Sequence, residues 1–71
     1  MLGIYEDQGK AVNRAVHYVC RHYKRRPDKR VLVAEVSIYG KYMYAVGLES
    51  HVSRILGYCL VRKVAHVRSK K

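Results

Sequence analysis

Val31-Leu32-Val33-Ala34-Glu35-Val36-Ser37-Ile38-Tyr39-Gly40-Lys41-Tyr42-Met43-Tyr44-Ala45-Val46 reads two ways, and the fold turns on which is taken. Its first nine residues are rich in β-formers. Gly40-Lys41 would turn them back into Tyr42–Val46 as a hairpin. Against this, Leu32, Val36, Tyr39, Met43 and Val46 recur at spacings of four, three, four and three, which is a helical stripe. Ser37 would cap a shorter helix starting at Ile38. Gly40 costs a helix about 1 kcal/mol relative to alanine and favours the hairpin. The lack of Asn-Gly or Asp-Gly opposes it. Pattern alone leaves both readings open.

Outward from this stretch the signals are clearer. On the N-terminal side, residues 6–26 predict a helix with Asp7 as N-cap. Ala11, Val12, Ala15, Val16, Tyr18, Val19 and Tyr23 form its apolar stripe. Lys10, Asn13, Arg14, His17, Arg21, Lys24 and Arg25 occupy the rest. Acids at its start and bases at its end suit the helix dipole. Pro27 disfavours helical backbone at Arg26, so the helix is expected to stop there. On the C-terminal side, Gly47 is read as ending the preceding element and Ser50 as capping a helix over 50–58. Val52, Ile55, Leu56 and Cys59 give that helix one apolar side. A β-branched, basic run follows, read as a strand or a continued helix.

Composition bounds the function. Seventy-one residues make one domain, spanning 1–71, with a basic tail at 69–71 expected to be mobile. Fifteen Lys and Arg against five Asp and Glu give a net charge of +10, and the sequence pI is near 10.0. Such a chain repels itself, and a polyanion relieves the repulsion. No apolar run approaches the ~18 residues of a membrane span, and the first residues lack the basic start of a signal peptide. A cytoplasmic or nucleoid-associated protein with no membrane partner is the expectation.

Catalytic and metal chemistry find little support. The acids Glu6, Asp7, Asp28, Glu35 and Glu49 form no clustered pair. No nucleophile elbow, zinc-protease motif or phosphate-cradling glycine loop occurs. An enzyme is not expected, and neither is a cofactor. His17, Cys20 and His22 are close in sequence, but positions 20 and 22 of a helix point about 200° apart. With no C-x-x-C pair, no metal site is expected. A Cys20–Cys59 bridge would need an oxidising compartment or a hyperthermophilic source.

The run Val46-Gly47-Leu48-Glu49-Ser50-His51-Val52-Ser53-Arg54-Ile55-Leu56 resembles the turn and recognition helix of winged helix-turn-helix proteins. Tyr58-Cys59-Leu60-Val61-Arg62-Lys63-Val64 resembles their path into the first wing strand. The resemblance covers about 46–68. It implies a mainly α fold with a small β component: three helices and a truncated wing. The alternative is an α+β fold, α-β-β-α, with a Tyr-rich hairpin at 31–46. The resemblance further implies a transcriptional regulator that reads duplex DNA through the helix at 50–58. Ser50, His51, Ser53 and Arg54 would face base edges or phosphates, and Arg62, Lys63 and Arg68 would lie on the wing.

Charge alone adds Arg25, Arg26, Lys29 and Arg30, with Lys70 and Lys71, as phosphate contacts. Duplex DNA is favoured over RNA as partner, and a homodimer is open. Two other functions compete. A ribosomal or RNA-binding module would stack bases on Tyr39, Tyr42 and Tyr44 beside Lys41. A small inhibitor or protein-interaction module would use the same bases against an acidic protein surface.

Overall fold

The computed structural model describes residues 2–69, and the side chains of 3–69. The chain runs through β1 (Leu2–Tyr5), α1 (Gln8–His22), β2 (Val31–Ile38), β3 (Lys41–Leu48) and α2 (Glu49–Leu56). A single 3-10 turn (Gly57–Cys59) then leads into β4 (Leu60–Val67). The strands form one antiparallel sheet in the order β1-β3-β2-β4. This α+β fold replaces the mainly α, three-helix winged arrangement. What precedes α2 is a strand, so no helix-turn-helix pair exists. The α-β-β-α alternative had the hairpin but lacked the two edge strands, β1 and β4.

The ambiguous stretch is a hairpin. Val31 pairs with Leu48 and Ile38 with Lys41, in continuous register. Its turn is Tyr39-Gly40, with φ of 52° and 78°. Two positive φ values make a type I′ turn, whose twist matches that of the flanking strands. Tyrosine takes the place where asparagine is usual, which is why the turn signal was weak. Gly47 ends nothing: it is a paired strand residue, opposite Leu2 and Leu32.

β2 lies at the heart of the molecule. Val31, Leu32, Val33, Ala34 and Val36 are all fully buried. Val31 and Val33 face α1, together with Val46 and the α1 residues Ala11, Ala15 and Val19. Leu32, Ala34 and Val36 face α2, together with Ala45 and Val52. A strand covered on both faces is apolar at nearly every position. It therefore loses the alternation by which a strand is recognised.

Topology explains the two layers. β1 and β2 point the same way with β3 between them; β3 and β4 do likewise around β2. Both crossovers step two places in the same direction, but from strands of opposite sense. Right-handed connections then require the helices to lie on opposite faces, as the two core clusters show.

Two helix boundaries differ from expectation. Asp7 caps α1 as read, its carboxylate accepting from the Gly9 N–H at 3.2 Å. The helix stops at His22, before the limit set by Pro27, because Tyr23 leaves helical backbone and packs on the α1 core. Its ring meets Tyr18 edge-on at 5.4 Å. In α2, Ser50 is not the cap. The strand runs straight into the helix through Leu48, and the Glu49 N–H is held by the Arg30 carbonyl at 3.2 Å.

β4 carries two bulges opposite Val33/Ala34 and Glu35/Val36, which leave Val64 and Val61 unpaired. Bulges of this kind bend and twist an edge strand. Here they bring Lys63 and His66 to the α2 face, opposite Ala34 and Leu32.

The turn gives a stability test. The Tyr39 side chain is fully exposed, so replacing it loses no packing. Asparagine tolerates left-handed backbone better than tyrosine, so Tyr39→Asn should raise stability by about 0.5–1 kcal/mol. Gly40→Ala should lower it by about 1 kcal/mol at φ 78°. Urea denaturation of the three proteins checks both signs.

Candidate nucleic-acid interface

Four of the five acids are engaged in holding the fold. Asp7 caps α1. Asp28 accepts from Arg26 at 3.3 Å. Glu35 accepts from Tyr44 at 3.2 Å and from Arg62 at 3.1 Å. Glu49 binds His66 at 3.0 Å and Lys63 at 3.3 Å, tying the first turn of α2 to β4. These contacts hold the Glu49 carboxyl below the usual carboxylate range, His66 contributing most and Lys63 next. The Asp28 carboxyl is likewise lowered, first by its bond to Arg26. Burial, then the bond to Glu35, raises the Tyr44 phenol.

The residues singled out from sequence separate into groups. Arg25, Arg26, Lys29 and Arg30 lie in the loop between α1 and β2. Lys29, Arg30 and Ser50 line one shallow groove with Asp28, Leu48 and Glu49. Arg68 borders a second groove with Pro27 and Ser69, and the Ser69 hydroxyl donates to the Lys24 carbonyl. These cations therefore gather at one end of the molecule. His51, Ser53 and Arg54 lie further along α2, on the other face of the sheet from α1. Arg62 and Lys63 are occupied by Glu35 and Glu49. Lys70 and Lys71 lie outside the described residues.

The most regular cationic feature is one the sequence reading left as the polar side of the first helix. Lys10, Arg14, His17 and Arg21 are spaced four, three and four along α1. That spacing sets them in a strip about 60° wide and roughly 16 Å long. All four are exposed. Arg14, His17, Tyr18, Arg21 and His22 line a shallow groove; Tyr5, Lys10, Asn13 and Arg14 line a neighbouring one. Among the described residues Lys10, Arg14 and Arg21 form no ion pair. The signal was present in the sequence as a four-three-four repeat of bases without intervening acids. At its C-terminal end the strip runs on into Lys24 and the basic loop.

Cys20 is exposed on α1, and Cys59 is half-buried on the α2 side of the sheet. Both are free thiols, so the bridge does not form. Among the described residues no group of three or more His, Cys, Asp and Glu is placed to hold a metal ion. No helix among them is long and apolar enough to cross a membrane. Comparison with protein-family models, curated proteins and solved structures finds no match to this chain.

The Glu49 contacts have a pH signature. A carboxyl held below its unfolded value stabilises the fold above that value, and the contribution is lost as pH falls through the folded one. Stability should therefore decline from near pH 4.5, the ordinary value, downward. Glu49→Gln should flatten that part of the profile. Thermal melts of both proteins from pH 7 to pH 3 make the comparison.

Proposed function

We propose that the protein is a non-enzymatic nucleic-acid-binding protein of the cytoplasm or nucleoid, regulatory or architectural in role. It lays the α1 strip and the basic loop along the phosphates of a duplex. The observation that carries this reading is the unbalanced strip itself. Acids that would neutralise Lys10, Arg14 and Arg21 are committed to a helix cap, a loop and the sheet. A straight row of cations on a helix backed by a sheet has its backbone already fixed, so only side-chain freedom is lost on meeting a regular phosphate backbone. Neutralised phosphates release counterions, which supplies the affinity.

Duplex DNA is the favoured form. An α-helix with its side chains is about 10–12 Å across and fits a major groove about 12 Å wide. The corresponding groove of duplex RNA is too narrow and deep for side chains to read. α1 takes the role that the resemblance assigned to α2. The two helices lie on opposite faces of the sheet and do not share one groove. α2 carries one arginine, Arg54, and one histidine, His51, against three basic residues and a histidine in the strip.

Arg14→Ala and Arg21→Ala should each weaken binding about equally across DNA sequences. Each should also lower the slope of log K against log salt by about 1. Arg54→Ala should leave the slope unchanged. Fluorescence anisotropy on a labelled duplex over a range of salt measures both. The reverse pattern would return the contact to α2, and tighter binding to structured RNA in competition would move the partner to RNA.

A further inference from the structure

Three of the seven tyrosines stand free at one end of the sheet. Tyr39 is 102% exposed at the hairpin turn, Tyr42 is 65% exposed two residues past that turn, and Tyr58 is 105% exposed in the 3-10 turn before β4. The register brings Tyr58 to the turn: Leu60, two residues after Tyr58, pairs with Val36, two residues before Ile38, on the α2 side of the sheet, where Lys41 also pairs with Ile38, whereas Tyr42, opposite Ser37, lies on the α1 side. This is the end opposite the loop of Arg25 to Arg30. Among the described residues none of the three rings makes a hydrogen bond or a ring contact.

The fold gains no packing from the Tyr39 and Tyr58 rings. Tyr39 sits at φ 52°, where a tyrosine is strained and an asparagine is not. A strained residue with no internal contact points to a use outside the chain. Large aromatic surface left in water is matched by flat, apolar-faced ligands, and the charge beside it selects among them. Lys41, between Tyr39 and Tyr42, forms no ion pair among the described residues. The cationic strip of α1 approaches this end too, because α1 begins beside the β1–β3 pair that joins Tyr5 to Tyr44. Glu6 and Asp7 intervene, so the strip and the aromatic end are two separate contacts rather than one channel.

We propose that this end is a stacking platform for unpaired nucleobases, with Tyr39 and Tyr58 taking base faces and Lys41 the adjoining phosphate. The proposal rests on the nucleic-acid reading and names its partner more closely: a duplex that carries unpaired bases, as at an overhang or loop. Stacking on an aromatic ring is sequence-tolerant, since every base has a π-face. No recognition of a particular base is therefore built into this end.

The chain contains no tryptophan, so Tyr39→Trp supplies a single reporter at the turn. Adding a duplex with a single-stranded overhang should quench its fluorescence; adding a blunt duplex should not. Tyr39→Asn, which suits the turn, should weaken overhang binding about 5- to 100-fold and leave blunt-duplex binding unchanged. Tyr58→Ser should act in the same direction. Anisotropy that reports overhang binding with no quenching, or equal affinity of the native protein for both substrates, overturns the platform and leaves the α1 contact standing. Absence of binding to either substrate overturns both.

Discussion

Burial of β2 on both faces is the constraint from which the rest follows. Five of its eight residues are wholly removed from water. A small chain covers a strand so completely only by placing one helix on each side, since neither helix is wide enough to reach around. The strand order and right-handed crossovers deliver that placement. The residues that meet β2 are then limited in size. Ala11 and Ala15 let α1 approach closely, while Ala34 and Ala45 do the same under α2. Close packing at such positions leaves little tolerance for an added methylene.

The same arrangement decides where charge goes. With both faces of β2 occupied, polar side chains are displaced to the edge strands, the turns and the outer faces of the helices. The β4 bulges show how far this reaches. Without them Lys63 and His66 would lie on opposite faces of the sheet, and Glu49 would have one partner instead of two. The anchored Glu49 fixes the start of α2, which has no side-chain cap of its own. Acids spent in this way are not available to α1. The cationic strip is thus a consequence of where the fold needs carboxylates as well as of the excess of bases.

What could be read from the sequence follows the same physics. α1 was legible because one face is buried and one is wet, so its period showed. Asp7 was legible because a cap is a local interaction. β2 was legible only as one of two readings: its β-formers allowed the hairpin, but double burial erases alternation, and the four-three-four-three stripe through Leu32, Val36, Tyr39, Met43 and Val46 was coincidence. In the fold those five residues divide among two sheet faces and a turn. The turn was hidden by Tyr39. Ser50 looked like a cap because nothing local reveals that the Arg30 carbonyl holds the Glu49 N–H across the chain. Of the candidate contacts, the loop cations of 25–30 do gather with Arg68 at one end. The α1 bases were seen individually as the polar side of the helix, but their alignment was not drawn out.

An exposed aromatic residue in left-handed backbone raises a question that packing does not answer. Protein turns of this type are stabilised by small residues that accept positive φ, and Tyr39 gives up that advantage for a ring standing in water. Tyr58 is as exposed, yet its 3-10 turn imposes no such backbone demand. Two rings exposed for unrelated local reasons, brought to one end only by the pairing of β4 with β2, are not a by-product of one local motif. The hairpin and the β4 junction are both anchored to the strand buried most deeply. Rings held on that frame keep fixed positions relative to the α1 strip, as the proposed partner, a duplex with a few unpaired bases, would require.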